Sequence, residues 1–308
     1  MRRLFALTLP VLLSAASFAS AAALASAAAP PRQEEVLPSA RIVYVTVTDK
    51  NGALVPNLTA ADFVVKDGGK EREVLQVESA TAPIRIAMIV DDNGTGIFRY
   101  GVARFIERLQ GRAAFALSTV AGQHLKIVDY TANVADLSDA IGRLTARPGT
   151  ADGGQLLEGI FETAKDLEKR KAPRSVIVVL TVGGEEHSTL PAHHVLDQLR
   201  QSGAALHVFA VESSALASRV AVTKPAALLG ENLNLSEVLG DGPKQSGGQR
   251  DEIVATAGIV AGLQQLADTL THQYVLAYAL PPKSNGKISI SVKQPGVTVR
   301  APVRVPDR

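Results

Sequence analysis

The feature that most constrains this chain is a pair of apolar runs, each ending in small polar residues. Ile84-Arg-Ile-Ala-Met-Ile-Val-Asp-Asp-Asn-Gly-Thr-Gly96 is the first, and Ser175-Val-Ile-Val-Val-Leu-Thr-Val-Gly-Gly184 is the second. A strand that is apolar on both sides must be covered on both faces, as in a parallel sheet layered between helices. Ligands of such sheets bind just beyond the carboxyl ends of the strands. The first run delivers Asp91, Asp92, Asn93 and Thr95 to that edge, and the second delivers Thr181 and Val182.

The surrounding pattern extends this reading. Ile97, Phe98, Val102, Phe105, Ile106 and Leu109 share one helical face, as do Leu156, Leu157, Ile160, Phe161, Ala164 and Leu167. Strands are predicted over Ala114–Val120, Leu125–Tyr130 and Ala205–Val211, with further helices near Leu137, over Pro191–Arg200 and over Ile253–Leu270. Alternating strands and helices predict an α/β fold with a largely parallel central sheet.

Both ends of the chain read differently. Ile42–Thr48, Phe63–Lys66 and Glu73–Val77 are β-rich and separated by the turn sequences Asp49-Lys-Asn-Gly52 and Asp67-Gly-Gly69. Ile288, Ile290 and Val292 alternate, and Val297–Val305 forms a last β-rich stretch. The expected organisation is a signal peptide over 1–29, a linker over 30–39, and the α/β domain over 83–280. Residues 40–82 and 281–308 would be the two parts of a small antiparallel β-domain. Ser213–Arg250, with Gly240-Asp-Gly-Pro243 inside it, is expected to be a long flexible loop.

Arg2-Arg3 precedes an uncharged Leu- and Ala-rich run with Ala-x-Ala sites at Ala19–Ala21 and Ala25–Ala27, the form of a secretory signal. The alternative is an uncleaved anchor, which would be the only membrane contact. An exported chain, periplasmic or secreted, is therefore expected. The 308 residues contain no Cys, so the core must hold the fold without disulfides. With 32 basic and 30 acidic residues and no Trp, nothing suggests a nucleic-acid surface.

The central region resembles a von Willebrand factor type A (VWFA) domain. The mature chain, over about residues 40–305, resembles the secreted VWFA-related family of Acidobacteria. The resemblance rests on Val45-Thr-Val-Thr-Asp-Lys-Asn-Gly52, Leu58-Thr-Ala-Ala-Asp-Phe63 and Gln273-Tyr-Val-Leu-Ala-Tyr278, together with the central strands. It implies a Rossmann-like domain and a metal-ion-dependent adhesion site. That site would hold Mg²⁺ through Asp-x-Ser-x-Ser, a Thr on a second loop and an Asp after a later strand. Asp91, Asn93 and Thr95 match the first element and Thr150 the second. Val182 stands where the third needs an acid. Asp92, Asp152 and Glu185 are the neighbouring acids that could compensate; otherwise the oxygen cluster only caps loops and helix ends.

Other signals are weaker. Glu185-Glu186-His187 with His193-His194 fits no zinc spacing. Gly149–Gly154 lacks the Lys of a phosphate loop. The expectation is an exported, non-enzymatic binding module that contacts a protein or cell-envelope component through its upper edge, with a degenerate metal site. A metal-assisted hydrolase using Asp91 and nearby acids is one alternative, and a structural envelope scaffold is another.

Overall fold

A computed structural model describes residues 40–92, 94–144, 154–184, 186–211, 233–281, 284 and 286–306. The chain opens with strands β1 (Ala40–Asp49), β2 (Phe63–Asp67), β3 (Lys70–Arg72) and β4 (Val74–Ser79). The α/β segment follows with β5 (Ile84–Asp91), α1 (Arg99–Arg108), β6 (Ala113–Ala121), β7 (Gln123–Thr131) and α2 (Val134–Arg143). It continues through α3 (Leu156–Arg170), β8 (Ser175–Thr181), α4 (Ala192–Ser202) and β9 (Ala205–Val211). Next come α5 (Leu233–Ser246), β10 (Gln249–Ile253) and α6 (Thr256–Thr271), and the chain ends with β11 (Tyr274–Ala279), β12 (Ile288–Val292) and β13 (Val297–Arg300).

Six strands form the central sheet in the order β10-β9-β8-β5-β6-β7. All neighbouring pairs are parallel except β6–β7, a hairpin at one edge. Period-two alternation along β5 explains the layering. Ile86, Met88 and Val90 pack with Phe98 just before α1, Phe105 of α1, Leu137 of α2 and Leu263 of α6. Ile89 faces the other way, toward the layer of Leu157 and Ile160 from α3, Val195 from α4 and Val238 from α5. Each such side chain, fully removed from water, contributes roughly 1.5–3 kcal/mol. The expected α/β fold, covered by helices on both faces, is what forms.

The ends of the chain build two antiparallel sheets, ordered β13-β1-β11-β4 and β12-β2-β3. Val45, Phe63, Val65, Leu276, Tyr278 and Ile288 share the core between them. Turn chemistry works as the sequence predicts. Asp49 Oδ1 accepts from the Asn51 and Ala53 amides, both at 2.8 Å, and Gly52 sits at φ +79°. Strand β11, which the sequence reading places at the end of the α/β segment, lies in this antiparallel part between β1 and β4.

The expectation of a flexible loop to Arg250 fails over its second half, which forms α5 and the start of β10. Local sequence loses to tertiary contact here. Gly242 packs so closely on Leu206 that a Cβ would stand 2.8 Å from its Cδ2. Val238, Leu239 and Pro243 are buried. The Ser246 hydroxyl donates to the Gly242 carbonyl at 2.7 Å and accepts from the Leu206 amide at 2.9 Å, tying the helix end to β9. The first half of that expectation, residues 213–232, lies outside the described residues, as do the expected signal peptide and linker. No helix among the described residues is long and apolar enough to cross a membrane.

Candidate functional site

Strands β5 and β8 are neighbours, yet the chain leaves them in opposite directions, toward β6 from one and toward β9 from the other. Strand order reverses between them, and this opens a crevice at their carboxyl ends. Asp91 closes β5 directly opposite Thr181 of β8. The Thr181 hydroxyl donates to Asp91 Oδ2 at 2.7 Å, and the Val182 amide donates to the Asp91 carbonyl at 3.0 Å. Asp91 is buried. Burial first, and then the charges of Glu186 and Asp92, push its pKa up to about 7 against the opposing bond from Thr181.

Asp92 organises the loop that follows. Its carboxylate accepts from the Gly94 amide at 3.0 Å and the Gly96 amide at 2.7 Å, while its carbonyl accepts from the Thr95 amide. Both glycines have positive φ, 72° and 68°, which the side-chain-anchored turn requires. Burial raises the Asp92 pKa, opposed by these two amides. Thr95 is exposed, and its hydroxyl accepts weakly from the Ile97 amide at 3.4 Å.

Glu186 is the residue that sequence reasoning did not connect to this edge. Its Oε2 accepts from the Leu156 amide at 3.0 Å, at the start of α3, and its Oε1 accepts from the Ser188 amide at 3.1 Å. Burial raises its pKa while these bonds oppose the shift. Glu186 pairs with Gly154, whose hypothetical Cβ would lie 2.7 Å from Val120 Cγ1 and 3.8 Å from Asp91 Oδ1. A side chain at 154 would press on the Val120 methyl, while its contact with Asp91 would be an ordinary one. An acid shortly past the end of β8 was the available signal.

Asp91 and Thr95 therefore lie on the same edge, with the half-buried Val182 packed against the core beside them. Asn93 and Thr150 lie outside the described residues, as do Asp152 and Glu185. The described donors fit a resident Mg²⁺ poorly. That ion needs several free hard oxygens in octahedral array. Asp91 Oδ2 is engaged by Thr181, the oxygens of Asp92 and Glu186 are engaged by backbone amides, and Val182 offers none. Among the described residues, no group of three His, Asp or Glu side chains is placed to hold a metal ion.

The central sheet carries the reversed strand order, one antiparallel edge strand and an aspartate at the reversal. That outline agrees with the resemblance to a von Willebrand factor type A domain drawn from the sequence. No family model matches the chain, and no curated protein matches it in sequence. Several solved structures share the outline. A von Willebrand factor type A protein from Catenulispora acidiphila is 12% identical, covering 87% of this chain and 74% of its own, with a TM-score of 0.45. The corresponding domain of the type V pili tip protein from Porphyromonas gingivalis is 11% identical over 62% of this chain and 96% of its own, with a TM-score of 0.44. Proximal thread matrix protein 1 from the mussel byssus, with a zinc-occupied metal-ion-dependent adhesion site, is 12% identical over 67% of this chain, with a TM-score of 0.47. This chain spans 50% of that mussel protein.

Proposed function

We propose that this VWFA-type protein is an exported, non-enzymatic module that binds a protein or cell-envelope component through the upper edge of its α/β segment. Metal dependence is weak or nil in this reading. The observation that carries it is the engagement of Asp91 Oδ2 by Thr181 beside Val182, which replaces the acid of the third position with an apolar side chain. Recognition then falls to side chains that stand out from that edge. Tyr100, in the first turn of α1, is 67% exposed, and Val254, just past β10, is 67% exposed. An exposed aromatic such as Tyr100 suits the anchor of a protein interface.

The test is capture of a partner from the native envelope by the purified protein, with and without chelator. The expected outcome is one partner retained in both conditions and lost with Tyr100→Ala. Retention only without chelator would overturn the metal-independent reading, and retention by Tyr100→Ala would move the contact elsewhere. The hydrolase alternative draws on the raised pKa of Asp91, since a carboxyl titrating near neutrality suits acid–base work. The cavities of about 580 and 240 Å³ are lined by other residues than Asp91, so neither supports that reading.

A further inference from the structure

The larger cavity, of about 580 Å³, lies at the opposite end of the central sheet. It opens below the amino ends of β8 and β9, bounded by the carboxyl ends of α3 and α4 and by β1. Ile42, Leu196 and Val305 give it apolar walls, and Lys171, Arg174 and Arg304 give it positive charge.

Arg174 is the unusual member. Its side chain is only 4% exposed, and every acceptor it reaches is neutral. Nη2 donates to Gln273 Oε1 at 2.8 Å and to the Leu270 carbonyl; Nη1 donates to the carbonyls of Ala80 and Ala82, both at 3.3 Å. Its guanidinium also lies 5.2 Å from the centre of the Tyr44 ring. Leu270 belongs to the last turn of α6, whose dipole supplies roughly half a negative charge. Among the described residues the rest of the cation has no counter-ion, whereas buried charges are ordinarily paired. Burial lowers the Arg174 pKa only to about 10, so the group stays positive at neutral pH.

The neighbouring acids are not paired with Arg174. Glu168 on the cavity wall accepts from Gln198 Nε2 at 2.7 Å, and Asp197 pairs with Arg200 at 3.2 Å. Among the described residues, no carboxylate lies within ion-pair distance of Arg174, Lys171 or Arg304.

We propose that this cavity binds a small organic anion with an apolar body. Its acid head faces Arg174 and Arg304, with Lys171 at the rim, and its apolar part lies on Ile42, Leu196 and Val305. The volume falls in the range of small-molecule sites and far exceeds what an inorganic anion fills. The carboxyl ends of α3 and α4 reach the same space and oppose an anion beside them, which directs the head toward β1 and the C-terminal segment. This site is separate from the upper edge and does not depend on the binding reading given for it.

Calorimetric titration of the full chain with decanoate tests the proposal, with decanol and inorganic phosphate as controls. Saturable one-to-one binding of decanoate is expected, at least about tenfold tighter than either control and weakened by added salt. The side chains of Lys171 and Arg304 are exposed, so Lys171→Ala and Arg304→Ala should keep the fold and the melting temperature. Each should weaken decanoate by about threefold or more. Leu196→Trp, which fills the cavity from α4, should abolish binding. Absence of saturable decanoate binding overturns the proposal. So does unchanged affinity in the Lys171→Ala/Arg304→Ala double variant. Equal binding of decanol removes the anion site, and equal binding of phosphate removes the apolar one.

Discussion

Asp67 and Asp91 are both buried aspartates at the ends of strands, and they are treated in opposite ways. Asp67, in the antiparallel part, is 1% exposed and faces Arg41 at 3.6 Å. The Tyr278 hydroxyl donates to it at 3.1 Å and the Ser284 hydroxyl at 2.8 Å. Asp91 has one neutral side-chain donor, Thr181, and feels two other acids. A buried carboxylate with its own cation is a structural joint. One held among acids by a single hydroxyl stores a preference for the proton, and it lies on the edge for which binding is proposed.

The largest way to break this comparison is Asp67→Ala. It strands Arg41 in the interior and should cost about 3–5 kcal/mol in chemical denaturation. Replacing both partners by apolar residues should recover much of that loss, because neither charge then remains buried.

Asp91→Asn should act in the other direction. The folded pKa of Asp91 is raised, so the folded state holds its proton while the unfolded state has already released it. Protonated Asp91 therefore favours folding, and that advantage disappears as pH climbs from about 4 to about 7, by on the order of 3 kcal/mol. Stability curves at successive pH values should show a steeper decline in the natural protein than in Asp91→Asn, where only the raised Asp92 and Glu186 of this edge remain. A natural protein whose stability is flat across that window would remove the contrast with Asp67.

Val182→Asp sharpens the comparison further. It restores an acid at the third position and should raise Mg²⁺ affinity by about tenfold or more in calorimetry, provided the loops are arranged as an adhesion site. Tight Mg²⁺ binding by the natural protein, or no gain in the variant, would contradict the degenerate-site reading. Thr181→Val is the smallest change. Losing one hydrogen bond to Asp91 should cost about 1 kcal/mol at pH 8, with less loss at pH 5, where the carboxyl is protonated.

Much of the fold was legible because burial on both faces forces continuous apolar runs, as in β5 and β8. Asp91 was legible for the same reason, since it ends such a run. Strand β10 was not, because Gln249-Arg-Asp-Glu is a polar edge whose one deeply buried residue is Ile253. Helix α5 was hidden by Gly240-Asp-Gly-Pro243, residues that favour turns locally. Gly242 is needed because Leu206 leaves no room for a side chain, a fact of packing rather than of propensity. Glu186 was obscured by an adjacent acid and histidine that suggested a different chemistry, and its link to α3 spans from Glu186 to Leu156.

The position of β11 between β1 and β4 also sets an order in time. Ala40 lies opposite Ala279, and Thr46 opposite Arg300, whereas the pairs of the central sheet join segments much nearer along the chain. Long-range pairing carries a heavy loop-closure cost and is slow. During synthesis the α/β segment can therefore consolidate while β1 and β4 wait, each with an open edge, for a strand made almost at the end. Until β11 arrives those edges are exposed to wrong pairing between chains. A chain interrupted before Tyr274 is thus expected to aggregate through its first strand, even with its central sheet intact.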